Sequence, residues 1–131
     1  MTFVDTNVVL RWLLNDHPTL TPKAQRLIKT AETQEDEFLI TDVVLGEIFY
    51  ILRQKGYRNS QTAQVLGDLL ERSVFIFDQE SRLNLLTRII SETNLDFADC
   101  YLISRAVYSN EPLATFDKAM RKAYDKFKPH K

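Results

Sequence analysis

Short apolar runs bounded by polar residues recur along the chain. Each run is three or four residues long, which suits a strand that is buried on both faces of a sheet. The four runs are Thr2-Phe3-Val4, Phe38-Leu39-Ile40, Val74-Phe75-Ile76-Phe77 and Leu113-Ala114-Thr115. We predict one strand at each of these runs.

Between these runs, apolar residues recur three and four positions apart, which is the spacing of one helix face. This pattern predicts helices over residues 6–14, 21–33, 42–55, 60–72, 79–92 and 97–109, and a shorter helix over 117–124. Strands that alternate with helices indicate a parallel sheet covered on both faces. The predicted fold class is therefore α/β, with a three-layer α/β/α arrangement around a central parallel sheet.

Composition indicates a compact domain. The chain has 131 residues, of which 44% are hydrophobic and 27% charged, and no stretch rich in Gly, Ser or Pro suggests a linker. We therefore expect a single domain over residues 1–131. One cysteine, Cys100, lies in an apolar helical pattern and is predicted to be a buried thiol.

The first residues lack the features of a secretion signal, and no apolar run is long enough for a membrane span. A reducing cytoplasm is the expected location, with no membrane contact.

The net charge of −1 argues against binding of nucleic acid by overall electrostatic attraction. Any such binding must depend on local patches. Residues 118–131 contain six Lys or Arg against one acid, Asp125, and are either a solvated tail or a basic patch.

Two aspartates follow predicted strands directly. Asp5 comes after the first strand and Asp117 after the last, and each precedes a predicted helix. Ligand sites of open parallel sheets lie beyond the carboxyl ends of the strands, where both side chains would lie. Each aspartate could equally be a helix N-cap, and the local sequence leaves both roles open.

Glu47 lies inside a predicted helix, where Val43, Val44, Ile48 and Ile51 surround its position on the helical wheel. We therefore expect a carboxylate on the face that meets the core. A buried charge needs a cation, a basic partner or water, so either an ion pair or a functional site is predicted here.

Asp96 and Asp99 open a further helix. Asp96 is predicted to be its N-cap, with Asp99 in the first turn. Asp99 also shares a helical face with Leu102 and Ile103, so its carboxylate is expected to point towards the sheet edge. We therefore include Asp99 among the candidate site residues.

These four acids, Asp5, Glu47, Asp99 and Asp117, could converge on one crevice, where they would repel one another unless a divalent cation were bound. Hard oxygen ligands favour Mg²⁺, with Mn²⁺ as a substitute. The residues needed for a zinc site or for a phosphate-binding loop are not present in the required spacing. His17 and His130 with one cysteine give no zinc-ligand spacing, and the three glycines form no phosphate-binding loop.

The sequence resembles a PIN-domain ribonuclease, specifically the VapC-type toxin of toxin-antitoxin pairs. The resemblance covers essentially the whole chain and depends on four motifs in order. These are Phe3-Val4-Asp5-Thr6-Asn7, residues 41–51 around Glu47, Leu95-Asp96-Phe97-Ala98-Asp99, and Ala114-Thr115-Phe116-Asp117.

The resemblance implies that the four acids form a metal-dependent active site supported by Thr6, Asn7 and Thr115. It also implies a homodimer, an RNA substrate, and a cognate antitoxin protein that blocks the active site. Candidates to hold the phosphate backbone outside the acidic pocket are Arg11, Arg53, Lys55, Arg58 and the basic residues of 118–131, and each could equally be ordinary solvated surface. Apolar residues that one small domain cannot fully bury would support a dimer interface, and we name Trp12, Phe49, Ile51 and Leu52.

Two other functions compete with cleavage of RNA by a metal-activated water. One is a non-catalytic PIN-like domain that binds RNA or protein, and a complete set of four acids argues against it. The other is a domain that accepts a phosphoryl group on aspartate. That class needs paired acids after its first strand and a late lysine, whereas this chain has Asp5 alone and Asp117 instead of the lysine.

Overall fold

The computed structural model describes residues 1–78 and 80–129, in which there are three strands and seven helices. The strands are β1 (Thr2–Phe3), β2 (Phe38–Ile40) and β3 (Phe75–Phe77). The helices are α1 (Thr6–Leu14), α2 (Leu20–Thr33), α3 (Asp42–Gln54), α4 (Asn59–Glu71), α5 (Glu80–Glu92), α6 (Phe97–Tyr108) and α7 (Lys118–Phe127).

The three strands form a parallel sheet in the order β1-β2-β3. Thr2 pairs with Phe38, and Phe38 pairs in turn with Phe75. All three residues of β2, the central strand, are buried, as expected of an apolar run inside a parallel sheet. The predicted α/β class with a parallel sheet is confirmed.

The fourth predicted strand is wrong. Residues 111–115 have no regular secondary structure, so Leu113-Ala114-Thr115 is not part of the sheet. The carbonyl of Leu113 accepts a hydrogen bond from the guanidinium of Arg121, and the Thr115 hydroxyl accepts one from the Asp117 amide. These groups are therefore engaged by the start of α7 instead of by a neighbouring strand.

The helices agree closely with the spacing of apolar residues. Six of the seven begin and end within one residue of the predicted positions, and α7 continues three residues beyond its predicted end. In α3 the buried positions are Leu45, Ile48, Phe49 and Leu52, which recur at intervals of three and four.

The contacts of the backbone divide the chain into two compact units. The first comprises Met1–Ile48 and Asp68–Asp78, and the second comprises Phe49–Gly67 and Gln79–Lys131. The prediction of a single domain over 1–131 remains a prediction.

The first unit contains the sheet, with α1 packed on α2. Its most deeply buried side chains include Val9, Ile28 and Ile40. In the second unit α5 packs on α6, and α6 packs on α7. Ile90 and Ile103 are fully buried there. Each unit thus has apolar side chains shielded from water.

Two of the four residues proposed for a dimer interface are buried within the chain. Phe49 and Leu52 are only 2% and 0% exposed, and Trp12 and Ile51 are half-buried. On α3 the exposed apolar side chains are instead Val43 and Tyr50. Apolar residues occur on more than one side of α3, so the helical-wheel pattern did not distinguish the face that packs in the core from the face exposed to solvent.

Cys100 is fully buried, as predicted. Burial raises the pKa of its thiol from 9.0 to about 11, and a contact of 3.6 Å with the Thr93 hydroxyl opposes this shift. The thiol is therefore protonated at neutral pH.

Across the described part of the chain, none of the helices combines the length and the apolar character that crossing a membrane requires.

Candidate functional site

Asp5 lies between β1 and α1 in the first unit. The preceding Val4 continues the sheet contact by donating its amide to the Leu39 carbonyl at 3.3 Å. Asp5 occupies the N-cap position of α1, with extended backbone angles, and its carbonyl accepts the amide of Val8 at 3.1 Å. Its carboxylate makes no capping hydrogen bond and is exposed. The structure therefore leaves the Asp5 carboxylate available, where the sequence allowed a capping role.

Thr6 and Asn7 follow Asp5 in the first turn of α1. Thr6 is 3% exposed, and its hydroxyl oxygen has no hydrogen-bond partner among residues 1–78 and 80–129. A buried hydroxyl without a partner is destabilising. Asn7 is exposed. The buried hydroxyl beside Asp5 thus retains its capacity to donate a hydrogen bond.

Glu47 does not lie on a buried face of α3, and this expectation was wrong. Its side chain is exposed, as is that of Val43, which is 72% exposed one turn earlier. The buried face of the helix is displaced around the axis and includes Leu45 and Ile48. Glu47 therefore needs no ion-pair partner to offset burial, and its carboxylate is accessible from solvent.

In the second unit, the start of α6 positions two carboxylates. Asp96 is the N-cap, and its Oδ1 accepts a hydrogen bond from the Asp99 amide at 2.9 Å. Both predicted positions, N-cap and first turn, are confirmed. The Asp99 side chain is half-buried, although Leu102 on the same helix is 51% exposed.

Asp117 begins α7 in the same way. Its Oδ1 accepts a hydrogen bond from the Met120 amide at 2.9 Å, so the capping interpretation is confirmed. The Thr115 hydroxyl in turn accepts the Asp117 amide at 3.0 Å and lies 3.6 Å from the sulfur of Met120. Thr115 thus orients the residue that caps the helix, while capping engages a single oxygen of Asp117.

The second unit brings Asp99 and Asp117 within electrostatic range of each other. Partial burial, which disfavours the charged form, is the largest cause of a raised pKa at Asp99. The neighbouring carboxylates of Asp96 and Asp117 raise this pKa further. A cation near Asp99 would offset both effects.

These residues provide the donor chemistry of a hard divalent cation, namely carboxylate and hydroxyl oxygens. In the second unit, the destabilised charge of Asp99 is a feature that a nearby cation would relieve. Within residues 1–78 and 80–129, however, no three side chains of His, Cys, Asp or Glu are gathered closely enough to hold a metal ion. A metal site formed by all four acids therefore remains a proposal.

The contacts that hold the segment before Asp96 were not predicted from the sequence. Asn59, the first residue of α4, is 8% exposed, and its side-chain amide donates to the carbonyls of Thr93 and Leu95 at 2.9 Å each. The guanidinium of Arg53 donates to the carbonyl of Asn94 at 2.8 Å. These contacts hold the segment immediately before Asp96. They join residues more than thirty positions apart, so local patterning carries no signal of them.

No curated protein and no solved structure matches this chain. The sequence model of one family, described as the PIN domain, matches residues 2–126 of the 131. The match spans both units and all four candidate acids. PIN domains are in general metal-dependent nucleases, and the parallel sheet with its helices agrees with that fold. The chain therefore belongs to the PIN domain family.

Proposed function

We propose that this PIN-domain protein is a metal-dependent endoribonuclease and the toxin of a type II toxin-antitoxin pair. The observation that carries the proposal is the Asp5 carboxylate, which is exposed directly after β1 and makes no capping bond. An aspartate that does not stabilise its own helix start is available to bind a ligand.

In this proposal the metal ligands are the four acids Asp5, Glu47, Asp99 and Asp117. Mg²⁺, with Mn²⁺ as a substitute, is the cation expected for such oxygen donors. When bound, Mg²⁺ lowers the pKa of a coordinated water and stabilises negative charge on the leaving oxygen of a phosphodiester.

The protein's own part is to hold the acids in place. The Asp99 amide is bonded to Asp96, and the start of α7 fixes Asp117 through Met120. Fixed carboxylates bind a cation with less loss of conformational entropy than mobile ones would. The unpaired hydroxyl of Thr6 is available to support a ligand beside Asp5.

RNA cleavage is tested with purified protein, a labelled structured RNA and a DNA of the same sequence, in Mg²⁺ and in excess EDTA. We expect cleavage of RNA in Mg²⁺, loss in EDTA and recovery when Mg²⁺ or Mn²⁺ is restored. Asp5→Asn, purified identically, controls for a contaminating nuclease and should be inactive. Cleavage that persists in EDTA or in this variant would refute the proposal.

The metal ligands are tested separately from activity by titrating Mn²⁺ and recording its electron paramagnetic resonance signal. Substitution of each acid by its amide, in turn, should weaken Mn²⁺ binding roughly 10-fold or more. Asp42→Asn, on α3 outside the proposed set, is the matched control. Equal affinity in all variants would exclude these acids as ligands.

The toxin role is tested by inducing the gene in cells. We expect growth arrest with the native protein and none with Asp99→Asn. A short protein encoded beside the gene is the expected antitoxin. It should restore growth and block RNA cleavage by placing an Arg or Lys against the acids. Inhibition that is equally strong at zero and high Mg²⁺ would contradict this mode of binding.

A homodimer is the proposed assembly, and the exposed side chains of Val43 and Tyr50 on α3 are consistent with a contact surface. Light scattering at micromolar concentration should give twice the mass of the 15.3 kDa chain. A mass of one chain would contradict it.

A further inference from the structure

The second unit contains an open pocket of about 550 Å³ between the end of α3, the start of α4 and the end of α5. Its polar lining comes from residues of these three segments and of the loop that follows α5. The side chains that matter here are Arg53, Arg58, Ser60, Ser91, Thr93 and Asn94. None of these residues is among the candidate metal ligands.

The lining has a marked charge bias. Two guanidinium groups and four hydroxyl groups, the latter from Tyr57, Ser60, Ser91 and Thr93, line the pocket, and no carboxylate does among the residues described. The adjacent acid in the sequence, Glu92, is engaged by Arg88 at 3.0 Å and by Lys126 at 2.9 Å. The hydroxyls of Ser91 and Thr93 already donate to the carbonyls of Arg88 and Ile89, so the two guanidinium groups are the main donors that face a ligand. A chain with a net charge of −1 thus has a locally positive pocket.

The Arg53 side chain is held in place within this pocket. Its Nη2 donates to the Asn94 carbonyl at 2.8 Å and lies 3.4 Å from Oδ1 of Asn59. Its guanidinium also stacks on the ring of Phe49, 5.4 Å from the centroid. Since these bonds use a single nitrogen, the other N–H groups of the fork remain for a ligand with several oxygen acceptors.

The start of α4 also favours binding of an anion in the pocket. The amides of Gln61 and Thr62 both donate to the Arg58 carbonyl, and the Gln61 side chain accepts the Arg58 amide at 2.8 Å. This arrangement fixes the main chain of Arg58, whose side chain lines the pocket. The positive end of the helix dipole adds to the charge of the two arginines.

We propose that this pocket binds a phosphate group of an RNA strand. The inference rests on the proposed nuclease function and deepens it, because it assigns a position for the substrate backbone. Asn94 lines the pocket and is two residues before Asp96, which caps α6 and bonds the Asp99 amide. Two residues span at most about 7 Å, so a strand bound in the pocket is held close to these acids.

The side chain of Arg58 is the one to test, because Arg53 also stabilises the loop before Asp96. The experiment measures binding of a fluorescein-labelled single-stranded RNA by anisotropy, in Mg²⁺ and from 50 to 200 mM KCl. All proteins carry Asp99→Asn to prevent cleavage. Arg58→Ala is compared with Arg58→Lys and with Lys29→Ala, which removes the same charge from an exposed position on α2. Thermal unfolding confirms that each variant is folded.

We expect Arg58→Ala to weaken RNA binding roughly 3- to 10-fold, as for loss of one charged contact. The slope of log affinity against log salt should become shallower by about 0.7, the value for one phosphate contact on a single strand. Arg58→Lys should recover part of the affinity, and Lys29→Ala should have little effect. Equal losses in Arg58→Ala and Lys29→Ala would overturn the inference, because general charge would then explain them.

Two further ligands distinguish the source of the anion. Inorganic phosphate should shift the amide resonances of Asn59 and Ser60 in an NMR titration, and Arg58→Ala should abolish the shift. If phosphate binds but RNA affinity does not depend on Arg58, the pocket is a small-anion site and the inference is wrong. If a poly-glutamate peptide binds with the same dependence on Arg58 and RNA does not, the ligand is an acidic protein.

Cleavage by the protein with native Asp99 separates this inference from the proposed function. Metal-dependent cleavage that is unaffected by Arg58→Ala, with unchanged RNA affinity, would refute the phosphate pocket alone. RNA binding that depends on Arg58 without any metal-dependent cleavage would refute the nuclease function and leave the pocket established.

Discussion

Asp117 accepts a hydrogen bond from the main-chain amide of Met120 at 2.9 Å, whereas Asp5, at the corresponding position of α1, makes no such bond. Substitution of the two acids should therefore affect the stability of the protein differently, but should abolish RNA cleavage in both cases. We expect Asp117→Ala to lower the free energy of unfolding by about 1 kcal/mol, the typical cost of a lost cap. Asp5→Ala should change it by less than about 0.5 kcal/mol.

Urea denaturation measures both values, and the RNA cleavage assay accompanies it. Under the proposed function, both variants are inactive although only one is destabilised. An active Asp5→Ala protein with a large loss of stability would show that Asp5 is structural.

Asp99 gives a prediction about pH. Its pKa is raised in the folded protein by burial and by Asp96 and Asp117, so its ionised form is destabilising. Asp99→Asn should raise the melting temperature in metal-free buffer at pH 7. Because of the raised pKa, the folded state binds this proton more tightly than the unfolded state does. The difference in melting temperature between Asp99→Asn and the native protein should therefore shrink as the pH falls and Asp99 becomes protonated.

Differential scanning fluorimetry in EDTA from pH 7 to pH 4 tests this. Asp68→Asn, an exposed acid of α4, is the control and should show no comparable gain. A lower melting temperature for Asp99→Asn at pH 7 would contradict the prediction.

Asp36, two residues before β2, is stabilised in its charged form by the start of the chain. The Thr2 hydroxyl donates to Asp36 at 2.7 Å and is the largest cause of a pKa lowered from 3.8 to about 2, with the N-terminal amino group next. This contribution to stability is present above pH 3.8 and is lost as the pH falls through about 2. In Thr2→Val we expect the pKa of Asp36 to rise towards 3.8.

An NMR titration of the Asp36 carboxyl carbon measures this pKa directly. Thr33→Val, whose hydroxyl donates to the carbonyl of Lys29, is the matched control and should leave it unchanged. An unshifted pKa in Thr2→Val would mean that the amino group and the Glu37 amide, which donates to Asp36 at 2.8 Å, account for the lowered pKa without Thr2.

Asn59 should be among the polar residues on which stability most depends. Asn59→Ala would leave the main-chain carbonyls of the half-buried residues Thr93 and Leu95 without their donor, and we expect a loss of about 1–3 kcal/mol. Asn94→Ala is the control, because Arg53 bonds to the main-chain carbonyl of Asn94 and the side chain is exposed. Urea denaturation should show less than about 0.5 kcal/mol for this control, and equal losses would contradict the argument.

The helices were predictable because each buries one face, and burial imposes a spacing of three and four residues on the sequence. The predicted strand at Leu113 was wrong for the opposite reason. An apolar run of three residues shows that a segment can be buried, but not which donor its carbonyls meet. In the structure that donor is Arg121, eight residues further along.

The sequence predicted which acids are candidates, but it did not predict the burial and contacts of each one. The position of Asp96 as N-cap follows from local rules, because capping involves neighbouring residues. The exposure of Glu47 does not follow from local rules. Val43 is apolar but exposed, so the sequence pattern predicted a buried face of α3 where the helix faces solvent. Contacts such as Asn59 to Thr93 join distant parts of the chain, and a single sequence carries no record of that pairing.

The buried thiol of Cys100 also makes the protein suitable for chemical labelling. A protonated, inaccessible sulfur reacts slowly with maleimides and disulfide reagents, so a spin label or dye can be attached to an introduced cysteine while the native one is retained. Slow reaction of Cys100 itself then reports how often its surroundings open, because the reagent must wait for that opening. The rate at which Cys100 reacts thus measures the frequency of local unfolding beside the loop that leads to Asp96.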